Sequence, residues 1–385
     1  MAAIGIPSCE HDIADAVADA LRDRAKLSIA GGGSKAGIGR RVVARELPMT
    51  GLSGVIDYDP AELVLTVRPG TPLAELVSLL AAKSQFFAFD PFDHGPIFGL
   101  AAGSATIGGI VSAGVAGSGR ISGGSARDHL LGFRAVSGRA EIFAAGGKVV
   151  KNVTGFDLSK LAAQSWGRLF ALTELTLKVM PRPPEQVTLV LPGLTDADAV
   201  RAMSVAMGSQ AEVAAAAHFP AAVRDSESAT ILRIHGFGPS VAARQRMLEE
   251  LLAGFGRLWA ARTDEACGMW ESLATLAPLG AASPLWRISV RPRRAAEVAG
   301  DFSDRDSAWM FDWAGGLIWL ATDADPQFVR EAAARRGGHA TLVRANDATG
   351  DVAPAFHPPA PGIAALEQRV RAAFDPSGVF QTGRF

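Results

Sequence analysis

Gly95-Pro-Ile-Phe-Gly-Leu-Ala-Ala-Gly-Ser-Ala-Thr-Ile-Gly-Gly-Ile-Val-Ser-Ala-Gly-Val-Ala-Gly-Ser-Gly119 is a run of 25 residues without a charge, bounded by His94 and Arg120. Its length alone nominates a membrane span, for which about 20 apolar residues suffice. Its composition argues against one. Eight of the 25 are glycine, and Ser104, Thr106, Ser112 and Ser118 lie among them. A lipid-facing helix tolerates glycine at packing seams but not this density of backbone freedom, and irregular main chain is unstable in hydrocarbon. The run reads instead as irregular backbone lying against a large ligand, where missing side chains let N–H groups approach.

A second glycine loop, Ala30-Gly31-Gly32-Gly33-Ser34-Lys35, follows a short strand, Lys26–Ala30. A strand running into glycines can open a dinucleotide site of the Rossmann type, but that motif needs a helix next. Ser34–Val43 holds two more glycines and no amphipathic pattern, so it reads as a loop before another strand. Such a turn still offers a cluster of amides to a pyrophosphate. Upstream, Asp12–Arg24 carries the helical stripe Ile13, Val17, Ala20 and Leu21. Downstream come strands Val55–Tyr58 and Leu63–Arg68. Thr71 and Pro72 then serve as N-cap and first residue of a helix whose face is Leu73, Leu76, Val77 and Leu80. Phe86–Phe89 reads as a strand. Thr106 caps a short helix (Ile107, Ile110, Val111, Val115) whose N-terminus suits a phosphate. Leu130–Val136, Glu141–Ala144 and Lys148–Val150 read as an antiparallel meander. Helix Asp157–Gln164, with Asp157 as cap, and strand Leu169–Val179 complete a first domain, residues 1–182, before a linker at Pro181, Pro183 and Pro184.

Residues 187–346 follow a different pattern, strand-helix-strand-strand-helix-strand, and the pattern occurs twice. Two such units pair into one broad antiparallel sheet with helices on one face. Residues 360–385 form a helix and a tail returning to the first domain. Lys plus Arg total 38 against 39 for Asp plus Glu, so nothing suggests a polyanion-binding surface, and no nucleic-acid partner is expected. Cys9 and Cys267 are the only cysteines, too few for a disulfide framework or an iron–sulfur cluster held by this chain. No basic, apolar leader opens the chain, and a reducing cytoplasm fits.

Seven short segments carry a resemblance. They are Ala30-Gly-Gly-Gly-Ser34, Val67-Arg-Pro-Gly-Thr71, Ala105-Thr-Ile-Gly-Gly109, Gly117-Ser-Gly-Arg120, Ala126-Arg-Asp128, Lys151-Asn-Val-Thr-Gly-Phe-Asp-Leu158 and Ser165-Trp-Gly-Arg-Leu169. In this order they make residues 26–182 similar to the FAD-binding domain of the vanillyl-alcohol oxidase / p-cresol methylhydroxylase (PCMH) flavoproteins. With Phe374-Asp-Pro-Ser-Gly-Val-Phe380, nearly the whole chain resembles the FAD-binding E subunits of bacterial glycolate oxidases. The implied fold is α+β, a PCMH-type FAD-binding domain followed by a duplicated ferredoxin-like cap. The implied cofactor is FAD, its pyrophosphate cradled by Gly31–Ser34 and Thr106–Gly109. Members that tether flavin covalently often have histidine where this chain has Gly33, so a non-covalent flavin is expected. Gln164 and Arg168 stand where relatives often have Gly and Thr, a change able to reshape the adenine end of the groove or to sit harmlessly at a surface turn.

The cofactor-binding candidates are therefore Ala30, Gly31, Gly32, Gly33, Ser34, Lys35, Pro69, Gly70, Ala105, Thr106, Gly108, Gly109, Ser118, Gly119, Arg120, Arg127, Lys151, Asn152 and Gly155. Arg120 and Arg127 also read as solvated or ion-paired loop residues, and Lys151 and Asn152 as local turn formers. His94 and His129 read as structural, and Trp309, Phe311, Trp313 and Trp319 as core. Oxidising a 2-hydroxy acid needs a cation for the carboxylate, a base for the hydroxyl proton and a hydride acceptor. If the open face of the sheet covers the flavin, Arg287, His235 and His339 form the expected trio, and Arg233 and Arg344 are the other strand cations. Related 2-hydroxy-acid dehydrogenases carry a Gly-Asp-Gly-Asn-x-His metal motif that this chain lacks, so no metal is expected. The resemblance implies oxidation of glycolate or a similar acid, with a second FAD subunit and an iron–sulfur subunit as partners. It leaves any membrane contact to the complex. The alternative is an FAD-binding assembly or relay subunit without turnover of its own.

Overall fold

The structure is a computed structural model that describes residues 4–147, 156–224, 226–346 and 353–385. Helix α1 (Glu10–Asp23) buries Ile13, Val17 and Ala20. The Asp12 carboxylate accepts the Ser8 and Cys9 amides at 2.7 and 3.0 Å, satisfying donors a helix start leaves open. Strands β1 (Leu27–Ala30) and β2 (Arg45–Pro48) pair in parallel, and the glycine loop between them contains no helix, as its sequence implies.

Strands β3 (Val55–Asp59) and β4 (Val64–Val67) begin a five-stranded antiparallel sheet. Helix α2 (Leu73–Ala81) starts one residue later than expected. Thr71 does not cap it, because its hydroxyl is committed to the Arg68 carbonyl at 2.7 Å. Val77 lies off the buried stripe and is 44% exposed. The expected Phe86–Phe89 strand shrinks to β5 (Gln85–Phe86), since the chain turns at Asp90, whose φ is 53°. In the uncharged run, a 3-10 turn (Gly95–Phe98) and the seven-residue helix α3 (Ile107–Ala113) are separated by irregular chain. Asp93 staples that chain, accepting the amides of Gly95 (2.8 Å), Gly103 (2.8 Å) and Ala105 (3.2 Å). Among the described residues no helix is long and apolar enough to cross a membrane.

Single-turn helices α4 (Arg120–Gly123) and α5 (Ala126–His129) lead to strands β6 (Leu130–Ser137) and β7 (Ile142–Gly146). The expected third meander strand, Lys148–Val150, lies outside the described residues. Asp157 caps α6 (Leu158–Ala162), β8 (Phe170–Lys178) completes the sheet in the order β3-β4-β8-β6-β7, and β9 (Met180–Pro181) pairs with β5.

The rest of the chain builds one eight-stranded sheet. Its first half is β10 (Glu185–Pro192), α7 (Asp196–Met207), β11 (Ala215–Phe219), β12 (Ala229–Gly236), α8 (Gly238–Leu251) and β13 (Trp259–Ala260). After α9 (Thr263–Thr275), the second half is β14 (Leu285–Ser289), α10 (Ala295–Gly300), β15 (Ser307–Asp312), β16 (Leu317–Thr322), α11 (Pro326–Ala334) and β17 (His339–Arg344). The order β13-β10-β12-β11-β15-β16-β14-β17 is two ferredoxin-like units placed back to back. They meet at β11 and β15, where His218 faces Phe311.

Alternation along the strands sorts the side chains to two faces. Leu232, Ile234, Trp286, Ile288 and Phe311 pack under α7, α8, α10 and α11. Ile231, Met310, Trp319 and Val343 form the other face, together with Met269 and Leu273 of α9. Ile38 and Ile97 from the two glycine segments complete that second core. The sheet face that carries only α9 is thus set against the glycine-rich chain. Helix α12 (Pro361–Phe374) leads to a tail that turns at fully buried Asp375, whose carboxylate accepts the Val379 and Phe380 amides at 2.7 and 2.9 Å. Val379 in turn receives the Leu27 amide at 2.8 Å, which binds the tail to β1.

Trp286 is the largest fully buried side chain, and its indole N–H has no hydrogen-bond partner. Trp286→Ala should cost about 3–5 kcal/mol, and Trp286→Phe only about 1–2 kcal/mol because no polar contact is lost. Urea unfolding followed by circular dichroism measures both, and equal losses would contradict this account of the core.

Candidate functional site

A cavity of about 480 Å³ opens over the loop after β1. It is lined by Ala30 to Lys35, Pro69, Thr106, Gly108 and Gly109, and by Trp166, Arg384 and Phe385. The main-chain N–H groups of Gly31, Gly32, Gly33, Ser34 and Lys35 reach no acceptor among the described residues. Five successive unsatisfied donors are the signature of an anion site. The glycines are required here. A Cβ on Gly32 would sit 1.8 Å from the Ser104 carbonyl oxygen, and one on Gly31 would sit 2.4 Å from the Thr106 hydroxyl. Gly33 has φ +83°. The start of α3 contributes differently from the sequence expectation. Its amides are taken, Gly108 by the Pro69 carbonyl at 2.8 Å and Gly109 by the Thr106 hydroxyl at 3.4 Å. Gly108 and Gly109 line the cavity because they are small, and the free donors belong to the other loop.

Lys35 is enclosed beside these amides. Its ammonium donates to the Ser34 hydroxyl at 3.0 Å and has no ion-pair partner among the described residues. Burial pushes its pKa down to about 8, with Asp93 opposing the shift. A cation held at a cost beside five free donors fits a phosphate.

Ala113, Trp166 and Phe385 also line a second, adjoining cavity of about 1420 Å³ between α3, the sheet's open face and α12. Arg287 of β14 and His339 of β17 reach it from paired strands, with Ser289 opposite His339 in the register. Trp319 of β16 and His94, at the head of the uncharged run, complete its floor. Arg287 has no carboxylate or hydrogen-bond partner among the described residues. Its guanidinium lies over the Trp313 ring at 4.9 Å, and Arg120 lies over the same ring at 4.4 Å. Burial, with Arg120 nearby, lowers the Arg287 pKa to about 10, and Asp312 opposes this. Asp312 is buried and pushed up to about 6, chiefly by desolvation, although it accepts the Ser118 hydroxyl at 2.8 Å and the Trp313 amide at 2.7 Å. The backbone at Trp313 and Ala314 is left-handed (φ 54° and 55°), a strained turn that sets the indole between the two arginines.

His94, expected to be structural, is the residue sequence reasoning missed. It is 7% exposed, stacks on Phe92 at 4.6 Å, and has no hydrogen-bond partner at Nδ1. Burial, then Lys35 and Arg287, hold it well below the usual histidine range, and the Phe92 carbonyl opposes this from outside hydrogen-bonding geometry. Its sequence signal was weak, a lone histidine beside the charge-free run. His339 is exposed at the cavity rim and lowered by partial burial, Arg287 and His357.

Other candidates lie elsewhere. His235 lines neither cavity. Its strand neighbour Arg233 is held by Asp90 at 2.9 Å and stacks on Trp270, fastening the sheet to the glycine-rich chain. Arg344 is spent on the carbonyls of Ile97, Gly280 and Ser283. Gly70 is a packing glycine, where a Cβ would meet the Met49 carbonyl at 2.2 Å. Ala105 is tied to Asp93, Ser118 to Asp312 and Gly119 to Asp90. Arg127 is exposed on α5. Lys151, Asn152 and Gly155 lie outside the described residues. His129 bridges the Lys178 and Gly123 carbonyls. Of the four aromatics read as core, Trp309 and Phe311 face the helices, whereas Trp313 and Trp319 face the site. Gln164, with φ 66°, and Arg168 both border the large cavity, and Gln164 covers Gly114.

Three comparisons bear on this geometry. Residues 1–146 match the model of an FAD binding domain family. Over 383 residues the chain is 32% identical to glycolate oxidase subunit GlcE of Escherichia coli (strain K12), covering 98% of this chain and 97% of that one. It is 29% identical to glycolate oxidase subunit GlcD of Bacillus subtilis (strain 168), over 36% of this chain and 28% of that protein. The fold matches p-cresol methylhydroxylase with substrate bound, with a TM-score of 0.74 at 14% identity over 98% of this chain and 87% of that one. The fold is the PCMH type, and the cofactor is FAD.

Gly32→Ala should push the Ser104 backbone out of place, distort the loop and reduce bound flavin at least about tenfold, read as flavin absorbance per folded chain. Full retention of flavin would remove this loop from the site. The Lys35 ammonium should regain its charge fully when a phosphate binds beside it. Affinity for FAD should therefore be greatest below about pH 8 and fall as pH rises past it. Titrations of the FAD-free chain from pH 7 to 10 should show that fall, and Lys35→Met should abolish it.

Proposed function

This chain belongs to the family of the glycolate oxidase subunit GlcE, and on that premise we propose that it is the FAD-binding subunit of a glycolate-oxidase-type complex. It takes two electrons from glycolate or a related 2-hydroxy acid, leaving the 2-oxo acid, and passes them to partner subunits. The observation that carries this reading is Arg287, an enclosed guanidinium without a carboxylate partner among the described residues, facing a cavity that adjoins the phosphate cradle.

Flavin, when bound, supplies the acceptor for the hydride from C2. The chain's own residues do the remainder. Arg287 receives the substrate carboxylate through its planar fork, a pairing strengthened by low local dielectric. His339, neutral near pH 7 and open to solvent at the rim, accepts the hydroxyl proton and passes it to water. His94 is too strongly depressed to be an effective base and instead holds the hydroxyl as a neutral hydrogen-bonding partner. The reactive set is thus Arg287, His339 and His94, without His235. The printed names of the relatives, both glycolate oxidase subunits, support a multi-subunit complex, and in this reading its other members are a second FAD-containing subunit and an iron–sulfur subunit. Contact with a membrane falls to the complex.

Anaerobic addition of glycolate should bleach the flavin of the isolated chain. Bleaching only after partner subunits are added would instead support a relay role without turnover of its own. Arg287→Ala should raise the KM for the acid about 100-fold at unchanged flavin content, since a buried ion pair is lost. An unchanged KM would exclude Arg287 from substrate binding.

A further inference from the structure

The tail that returns to β1 ends against the phosphate cradle. Arg384 donates from Nε to the Ile38 carbonyl at 2.8 Å and from Nη2 to those of Lys35 and Ala36 at 2.9 and 2.6 Å. Its own carbonyl receives the Arg40 amide at 3.0 Å. One guanidinium therefore gathers three carbonyls of the segment that closes the glycine loop. Within that segment Ala36 donates to Gly33 and Ile38 to Lys35, at 2.8 and 3.1 Å. The exit of the loop is fixed from both sides. Arg384 itself borders the smaller cavity and pairs with no carboxylate among the described residues. It stands there beside Lys35, so two cations without counter-charges flank five free amides. Phe385 stacks on Phe356 at 5.0 Å and lies 5.1 Å from Trp166, at the junction of the two cavities.

We propose that Arg384 is a cofactor-positioning residue. It holds the carbonyls of residues 35, 36 and 38 on one side so that the amides of residues 31–35 stay turned to the phosphates on the other. This rests on the reading of the glycine loop as the phosphate site of FAD. Peptide planarity relays the constraint, because fixing the Lys35 carbonyl fixes the Ala36 amide across the same plane, and that amide, donating to the Gly33 carbonyl at 2.8 Å, sets the Ser34 amide across the next plane. The fork geometry matters as well, since a lysine ammonium cannot reach three carbonyls in one plane. Docking of the tail and retention of the dinucleotide are thereby coupled, each stabilising the other.

The test uses the full chain stripped of flavin and three probes: FAD, ADP and riboflavin. Arg384→Ala should weaken FAD and ADP by the same factor, roughly 10- to 100-fold, and leave riboflavin binding unchanged. FAD and ADP, but not riboflavin, should slow hydrogen exchange at the amides of residues 379–385 in the wild-type chain. Arg384→Lys should keep the charge yet recover only part of the affinity. If the alanine variant is too unstable to titrate, the lysine variant decides, because affinity within twofold of wild type overturns the proposal. Equal losses for all three probes would reveal a general structural role and also overturn it. Failure of the wild-type chain itself to bind FAD or ADP would reject the underlying cradle instead.

Discussion

Everything about this molecule depends on five consecutive main-chain donors, Gly31 to Lys35, that the protein leaves without acceptors. Unpaired amides are costly where water is thinned out, and a fold keeps them only if something else satisfies them. Here that requirement dictates the sequence around them. Side chains cannot be added at Gly31 or Gly32 without displacing Thr106 or the Ser104 backbone. The uncharged run therefore serves as the opposite wall of the loop, and Asp93 holds that wall in shape by collecting three of its amides.

The electrostatics follow the same logic. Lys35 and Arg384 border the smaller of two adjoining cavities and Arg287 the larger, and burial depresses the pKa of each, opposed only in part by Asp93 at Lys35 and by Asp312 at Arg287. A stability optimum would pair such cations, and leaving them without an ion pair makes both cavities receptive to anions. The carboxylates that are near have other duties. Asp90 anchors Arg233, and Asp312 orients the Trp313 turn that separates Arg120 from Arg287.

Much of this was legible in the residues. Glycine spacing announced the loop, the missing helix after Gly33 removed the Rossmann alternative, and the double strand-helix pattern yielded the eight-stranded sheet. Arg287 and His339 take a common face, and in the pairing of β14 with β17 they stand diagonally, with Thr341 opposite Arg287 and Ser289 opposite His339. The misses share a cause. His94, Arg384 and the strained Trp313 turn act through contacts far apart in sequence, about which local patterns carry no information. His235 went astray for the same reason, because strand position says which face a residue takes but not which part of that face is covered. Thr71 and the amides of α3 failed because nearby carbonyl and hydroxyl groups competed for the same hydrogen bonds.

The sheets of the two ferredoxin-like units are joined by a single register pair, His218 and Phe311, yet the contributions of the two units are unequal. Arg287, Trp319 and His339 all come from the second copy, whereas the first supplies the Arg233 fastening. The repeated topology is therefore loaded unevenly, since the second copy carries the ligand-facing side chains and also grips the glycine-rich chain through Asp312, Trp313 and Arg344, so a change there is felt by shape and by chemistry at once.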